Sequence, residues 1–191
     1  MNYEEEVRKV LKENPTIETR RLILRPIEIK DVDSVFQMRS DEKVGQYIGR
    51  NMLRKPEEAL DIIKESIESF QQGKSIGWVA RLKGSEQDGI IGTCGFSNLD
   101  YEQRKAELAG EMAVVHWGKY YAMEGTLAII SFGFNRLHLR SIESVLAPDN
   151  ESAIYLLEKL GFAEERQLPK QGVLNGKPVD LVLFSKKNAG A

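Results

Sequence analysis

Cysteine and histidine are scarce in this chain of 191 residues, which has one cysteine, Cys94, and two histidines, His116 and His138. A single cysteine excludes a disulfide within the chain and fits a reducing compartment, so we expect a cytoplasmic protein. The three residues are scattered along the sequence without the paired spacing of metal ligands. We therefore expect no metal site.

Long apolar runs and an excess of positive charge are also missing. No run approaches the ~20 residues of a membrane span, and the start MNYEEEVRKV lacks the basic-then-apolar order of a signal peptide. The 27 lysines and arginines are outweighed by 29 acidic residues, which gives a formal net charge of −2. We therefore expect neither nucleic acid nor a membrane as a partner.

Three common catalytic or nucleotide-binding motifs are absent as well. The sequence GKS at 73–75 would need a glycine at position 68 to form a phosphate-binding loop, and that residue is Glu68. No G-x-S-x-G of a serine hydrolase occurs, and the junction at 112–125 lacks the G-x-G-x-x-G of a dinucleotide-binding fold. These enzyme classes are not indicated.

The spacing of apolar residues predicts both helices and strands. A helical pattern at 3–13 ends at Asn14-Pro15, so we expect a helical extension over 1–14 and a single domain over 15–191. In the domain we predict strands at 21–29, 75–83, 89–99, 105–115, 140–146 and 179–187, and helices at 31–38, 56–73, 119–137 and 151–160. This order predicts an α/β fold with a mixed, mostly antiparallel sheet and helices on both faces.

Two segments, AELAGEMAVVHWGKYYAMEG (106–125) and APDNESAIYLLEKLGF (147–162), resemble the GNAT superfamily of acetyl-CoA-dependent N-acetyltransferases. They are similar to the branch of the ribosomal-protein N-terminal acetyltransferases, which reads roughly A-E-I-G-Y-x-L-x-P-x-x-W-G-K-G-Y-A-x-E-A over the first segment. TRRLILRP from Thr19 and NGKPVDLVLFS from Asn175 fit the same branch, so the resemblance covers nearly the whole chain after residue 15. It implies the GNAT fold, in which the fourth strand (here 105–115) splays apart from the fifth (140–146).

The resemblance implies acetyl-CoA as the cosubstrate. The backbone of Val114 and Val115 would pair with the pantetheine arm as with an added strand, and the side chain of Asn150 would contact the same arm. Because helix N-termini attract anions, the pyrophosphate would bind a loop and helix start formed by Trp117, Gly118, Lys119, Tyr120, Tyr121 and Ala122. The alternatives are that Val114 and Val115 are plain core-strand residues and that Asn150 is the N-cap of the following helix.

Tyr120 departs from this branch, which has a glycine at that position. A tyrosine does not adopt a positive φ at low cost, so we expect Tyr120 to lie in the first turn of the helix. We also expect the cofactor site to be retained but weaker or shifted. The alternative is a domain that has lost acetyl-CoA.

The chemistry needs a base for the amine and, less strictly, an acid for the leaving thiolate. Glu107 matches the acidic residue of the A-E-I-G strand and is the first candidate base; Glu111, four residues on and on the same strand face, is the reserve. Either is alternatively a solvated strand carboxylate. The serine that the branch places three residues after the asparagine is Ala153 here. Ser152 and Tyr155 are therefore candidate acids by chemistry and not by match, and Ser152 is alternatively a first-turn helix residue.

These residues predict an enzyme that transfers the acetyl group of acetyl-CoA to a primary amine, foremost the α-amine of a protein N-terminus. A small amine, such as a polyamine or an antibiotic, is an alternative acceptor. A non-catalytic acyl-CoA-binding regulatory domain is the alternative from another class. We expect the segments 40–56 and 164–178 to determine the acceptor, and a homodimer is left open.

Overall fold

A computed structural model describes residues 2–46, 52–85, 89–174 and 177–190. The α-helices in these ranges are α1 (Tyr3–Lys12), α2 (Val32–Arg39), α3 (Glu42–Gly45), α4 (Pro56–Gln71), α5 (Tyr121–Asn135) and α6 (Glu151–Lys159). The strands are β1 (Ile17–Glu18), β2 (Leu22–Pro26), β3 (Ile76–Leu82), β4 (Gly92–Asp100), β5 (Lys105–Met112), β6 (Ser141–Leu146), β7 (Ala163–Leu174) and β8 (Lys177–Lys187). Parts of both predicted acceptor segments lie outside the described residues, as does Asn175, where the closing motif begins.

These strands form one mixed sheet in the order β1-β2-β3-β4-β5-β6-β8-β7. All neighbouring strands are antiparallel except β5 and β6, which are parallel. A parallel pair needs a crossover connection, and α5 provides it between β5 and β6. The predicted mixed, mostly antiparallel sheet is confirmed.

Helices cover both faces of this sheet. On one face Trp78 of β3 belongs to the main core cluster, to which α1, α5 and α6 also contribute side chains. The Trp78 ring packs edge-to-face on Phe132 of α5, with the ring centroids 5.2 Å apart. On the other face Val79 packs with Val35 of α2 and Ile63 of α4. Consecutive strand residues point to opposite faces, so β3 is buried on both sides, and the predicted placement of the helices is confirmed.

The N-terminal helix α1 contributes to the main core. Asn2 and Glu5 cap it reciprocally, and Val7 and Leu11 are buried in the main cluster. The Tyr3 hydroxyl donates to the Leu137 carbonyl at 2.9 Å, and burial raises the pKa of this phenol to about 12. The helix predicted at 3–13 is thus present, whereas the division into an extension and a domain stays a prediction.

The sequence pattern does not predict β7. Its sequence AEERQLPKQGVL contains Pro169 and Gly172 and lacks a clear alternation of apolar and polar residues. It is nevertheless a strand because it pairs with β8, and the register shifts between Leu168 and Gly172, where the proline interrupts the ladder. Tertiary pairing therefore outweighs local propensity here.

β5 and β6 pair over only three positions and then diverge. The pairing runs from Lys105 opposite Ser141 to Glu107 opposite Glu143. Beyond Glu107, β5 continues along β4 while β6 continues along β8. Within the described residues, the edge of β5 that faces β6 therefore has no strand partner over 108–112. The predicted splay between the fourth and fifth strands of the resemblance, which are β5 and β6, is confirmed.

One side chain bridges the two strands where they separate. The buried Ser144 hydroxyl of β6 donates to the Leu108 carbonyl of β5 at 3.0 Å. This hydrogen bond joins the strands one residue beyond their last paired position. It therefore fixes where the opening begins.

We expect Ser144→Ala to lower the free energy of unfolding by about 1 kcal/mol, the usual net contribution of one hydrogen bond. Urea denaturation measures the loss. Ser141→Ala is the matched control, since Ser141 lies on the same strand and its side chain makes no hydrogen bond within the described residues. Equal losses in the two variants would show that the bond to Leu108 contributes nothing of its own.

Candidate active site

The chain leaves β5 through a turn. Residues Val114–His116 form one turn of 3-10 helix, in which the Trp117 N–H donates to the Val114 carbonyl at 3.0 Å. The indole N–H of Trp117 donates to the Met112 carbonyl at 2.8 Å and ties this turn to the end of β5. The prediction that Val114 and Val115 continue the strand is wrong. The Ala113 N–H still donates to the Ile91 carbonyl, but Val114 and Val115 lie in the 3-10 turn, and Val115 is 73% exposed. Their contact with a cofactor stays a prediction.

Tyr120 adopts the conformation of the glycine that it replaces. Its φ of 62° and ψ of 15° lie in the left-handed region, and Gly118 has a φ of 72°. The expectation that Tyr120 lies in the first helical turn is therefore wrong: Tyr120 is the N-cap, and the helix begins at Tyr121 instead of at 119. The left-handed conformation costs a non-glycine residue about 1–2 kcal/mol. The side chain is 70% exposed, so this cost is not offset by burial of the ring.

The start of α5 presents N–H groups that precede the helical ladder. The first helical hydrogen bond runs from the Glu124 N–H to the Tyr120 carbonyl at 3.1 Å. The N–H groups of Tyr121, Ala122 and Met123 therefore have no carbonyl within the helix, and the Tyr120 side chain caps none of them. Such groups, together with the positive end of the helix dipole, suit a pyrophosphate.

A network centred on one carboxylate holds this loop to the start of β2. The Glu124 carboxylate accepts hydrogen bonds from the Thr19 hydroxyl at 2.6 Å and from the backbone N–H and the Nε of Arg21 at 2.7 and 2.6 Å. Arg21 Nη1 also donates to the Lys119 carbonyl at 3.0 Å. The guanidinium carbon lies 4.5 Å from the ring centre of Tyr121. We did not predict Arg21 or Glu124 as site residues, although both lie in the segments that carry the resemblance.

Glu107 lies at the last paired position before the strands diverge. On its other side it is opposite Ser97 of β4, next to an irregularity in the β4–β5 register between Ser97 and Asp100. Asn98 in this irregularity has a φ of 51°, and its side-chain amide donates to Glu107 Oε2 at 2.9 Å. Oε1 accepts no hydrogen bond within the described part of the chain. Glu107 thus has one carboxylate oxygen held by Asn98 and one available to a ligand.

Glu111 shares a strand face with Glu107, as predicted, but its surroundings differ. Its carboxylate forms an ion pair with Arg39 of α2, its side chain is 10% exposed, and Thr93 lies at hydrogen-bond distance. The other oxygen, Oε2, has no hydrogen-bond partner within the described residues, but it is buried, whereas Glu107 is half-buried and more accessible to an amine. Glu107 is therefore the better placed of the two candidate bases.

At the start of α6, Asn150 acts as the N-cap. Its side-chain oxygen accepts a hydrogen bond from the Ala153 N–H at 3.2 Å, so the capping alternative is correct, and the amide NH₂ remains for a ligand. Ser152 and Tyr155 are exposed on the outer side of the helix, while Leu157 is buried in the core. Within the described residues, no hydrogen bond joins either candidate acid to Glu107.

Comparison with known proteins agrees with this arrangement. The sequence model of the acetyltransferase (GNAT) domain matches residues 21–163, which is most of the chain. The chain belongs to the GNAT acetyltransferase family. As a member of this family it is an acetyl-CoA-dependent N-acetyltransferase.

Individual relatives of this acetyltransferase differ in what their names say. The uncharacterized N-acetyltransferase YoaA of Bacillus subtilis (strain 168) is 33% identical over 171 residues, which are 90% of this chain and 96% of YoaA. The spermidine N(1)-acetyltransferase of Vibrio cholerae is 25% identical over 162 residues, which are 84% of this chain and 90% of that protein. Mycobacterium smegmatis RimJ, solved in complex with CoA-disulfide, has the same fold with a TM-score of 0.84 at 18% identity, covering 93% of this chain and 89% of RimJ.

Within the described ranges, no three His, Cys, Asp or Glu side chains are grouped as metal ligands would be. None of the helices described above is long and apolar enough to cross a bilayer.

We expect Tyr120→Gly to leave the stability of the free acetyltransferase unchanged or to raise it slightly. Relief of the left-handed conformation, about 1–2 kcal/mol, is wholly or partly offset by the larger entropy that glycine loses on folding, about 0.5–1 kcal/mol. Tyr120→Val should instead lower the free energy of unfolding by more than about 1 kcal/mol, because a β-branched residue tolerates this conformation poorly. Urea denaturation of both variants checks the order. A glycine variant less stable than the valine variant would contradict the left-handed geometry.

The Glu124 network predicts a dependence of stability on pH. Partial burial on its own would raise the pKa of Glu124, but the hydrogen bonds from Thr19 and Arg21 outweigh it and lower this pKa. Such a carboxyl stabilises the fold above its unfolded pKa of about 4.3, and the contribution is lost as the pH falls through the folded pKa. We therefore expect the wild type to lose more stability than Glu124→Gln between about pH 5 and pH 3.

Urea denaturation at pH 6, 5, 4 and 3 measures this difference. Glu65→Gln is the control, since Glu65 is exposed on α4 and forms no ion pair within the described residues. It should follow the wild type at every pH. A gap between wild type and Glu124→Gln that does not change with pH would refute the assignment.

Proposed function

We propose that this enzyme acetylates the α-amine of a protein N-terminus, with Glu107 as the general base. The observation that carries this proposal is the position of Glu107 where β5 and β6 separate. Asn98 holds one carboxylate oxygen, and the other accepts no hydrogen bond from the residues that the structure describes. A base must lie within reach of the proton that it accepts. An amine that enters between β5 and β6 meets this free oxygen first.

The pKa of the acceptor amine favours an α-amine. The pKa of an α-amine is about 7.7–8.0 and that of a lysine side chain about 10.4. Forming the neutral amine near pH 7.4 therefore costs well under 1 kcal/mol for the α-amine and about 4 kcal/mol for the lysine, at about 1.4 kcal/mol per pKa unit. One carboxylate, acting directly or through water, is sufficient for the first acceptor.

The splay and the loop support the binding of acetyl-CoA. The unpaired edge of β5 over 108–112 suits the amide groups of the pantetheine arm, as an added strand. The loop and helix start at 117–122 suit the pyrophosphate, and the NH₂ of Asn150 suits a carbonyl of the arm. The thioester carbon then lies near Glu107, where the amine nitrogen attacks it.

In this reaction the new bond joins the amine nitrogen to the acetyl carbon, and the bond between carbon and sulfur breaks. Glu107 takes the proton that the amine loses. The sulfur leaves as a thiolate, which is tolerable because a thiol has a pKa of about 8.5. The roles of Ser152 and Tyr155 as general acids stay predictions. Both side chains lie on the exposed side of α6.

A polyamine is the second candidate acceptor, and one observation favours it. Glu107 lies opposite Glu143 in the parallel pair, so two carboxylates are neighbours on one face of the sheet. Lys105 pairs with Glu143 at 3.0 Å and offsets one of the two charges. The name of the V. cholerae relative, a spermidine N(1)-acetyltransferase, points the same way.

An acceptor panel tests the proposal. Lysine-free peptides with a free N-terminus should be acetylated, as measured by release of the CoA thiol and by the mass of the product, whereas the same peptides with a blocked N-terminus should not react. Faster turnover of spermidine than of every peptide would overturn the proposal in favour of a polyamine acceptor. Binding of acetyl-CoA without turnover of any amine would favour a non-catalytic domain.

We expect Glu107→Gln to lower kcat about 100-fold or more, because general-base catalysis contributes at least this much, with the Kd for CoA nearly unchanged. Glu102→Gln is the control, since Glu102 is exposed in the β4–β5 turn and makes no ion pair within the described residues. Steady-state kinetics and calorimetric titration with CoA separate the two effects. Full activity of Glu107→Gln would remove Glu107 as the base, and Glu111→Gln would then be the variant to measure.

A further inference from the structure

Arg21 contacts the candidate pyrophosphate loop in three ways. Its Nη1 donates to the Lys119 carbonyl, its Nε pairs with the Glu124 carboxylate, and its guanidinium lies over the ring of Tyr121. The three contacts fix both the position and the plane of the guanidinium group. A rigid, planar donor set of this kind is specific to arginine.

The contact with the Lys119 carbonyl has a consequence for the next amide. In a trans peptide the C=O and the following N–H point in opposite directions, and the described residues contain no cis peptide. Since the Lys119 carbonyl points at Arg21, the Tyr120 N–H points away from Arg21. Within the described residues this N–H makes no hydrogen bond.

We infer that Arg21 is a positioning residue for the pyrophosphate of CoA, because it holds the 119–120 peptide so that the Tyr120 N–H faces the phosphate. The inference rests on the proposed cofactor site at 117–122. Arg21 also polarises the Lys119 carbonyl, and hydrogen bonds in a chain strengthen one another, so the Tyr120 N–H becomes a better donor. This N–H belongs to Tyr120, the residue that replaces the family's glycine. The left-handed φ of Tyr120 also determines the direction of the peptides around it.

Charge alone does not account for this role. The carboxylate of Glu124 lies 2.6 Å from Arg21 Nε and neutralises the guanidinium. Arg21 therefore contributes little net field at the phosphate site, and its effect is one of orientation. A lysine at this position keeps the charge, yet one ammonium group does not reproduce the fork that joins Glu124 to the Lys119 carbonyl.

Calorimetric titration with CoA tests the inference on the full chain. Arg21→Met and Arg21→Lys should each raise the Kd for CoA about tenfold, with a matching rise in KM for acetyl-CoA and kcat changed less than about threefold. Arg20→Met is the matched control. Arg20 is exposed and makes no ion pair within the described residues, so this variant removes the same charge without the contacts. It should change the Kd for CoA less than about twofold. Acetyl-pantetheine, which lacks the pyrophosphate, should have the same kcat/KM in wild type and in both Arg21 variants.

An amide spectrum adds a direct readout of the donor. In a ¹⁵N-labelled sample, the Tyr120 amide signal should move on addition of CoA to the wild type and move less in Arg21→Lys. Failure of the wild type to bind CoA would overturn the proposed cofactor site itself. Wild-type CoA binding with unchanged affinity in both Arg21 variants would overturn only the inference, as would an equal loss of activity with acetyl-pantetheine. Thermal unfolding of each free variant fixes a temperature at which all are folded.

Discussion

The early divergence of β5 from β6 is the constraint on which the rest of the site depends. β5 stays paired with β4, and β6 stays paired with β8. The sheet therefore opens between β5 and β6 while both halves keep their hydrogen bonds. Only three positions are paired, and the bond from Ser144 to Leu108 marks the end of contact. On β5, the exposed residues Ala109 and Gly110 of the unpaired stretch are small. The early divergence leaves an unpaired backbone edge on β5. Glu107 lies where that edge begins, and the start of α5 follows its other end.

The loop at 117–122 shows that closure of the chain outweighs the conformational preference of a single side chain. The segment between Met112 and Tyr121 has to turn from the end of a strand into a helix, and left-handed residues at Gly118 and Tyr120 make that turn. The left-handed conformation costs a tyrosine free energy that it does not cost a glycine. The hydrogen bonds of Arg21 and Trp117 hold the loop in this conformation. The backbone donors are consequently those of a glycine loop, while the outer surface differs by an exposed aromatic ring.

Much of the fold could be predicted from the sequence, because periodicity and helix stop signals are local. Apolar spacing predicted the helices α1, α4, α5 and α6 and the meander from β3 to β5. The resemblance predicted the opening between β5 and β6. Three features could not be predicted. Val114 and Val115 suggest a strand by composition, but the chain turns into a 3-10 helix directly after Ala113. The φ of Tyr120 depends on loop closure, and the contact of Arg21 with Lys119 joins residues 98 positions apart, which no local pattern encodes.

The catalytic groups show the same division between local pattern and tertiary placement. Matching of motifs located Glu107, but only the structure shows that Asn98 holds one of its oxygens and that Arg39 already engages Glu111. On α6, the half-buried Ala153 occupies the position where the branch that the sequence resembles has a serine, and an alanine side chain donates no proton. One carboxylate without a built acid is a modest catalyst of proton transfer. The proposed α-amine acceptor fits this chemistry, because forming the neutral amine near pH 7.4 costs less than about 1 kcal/mol for an α-amine and roughly 4 kcal/mol for a lysine.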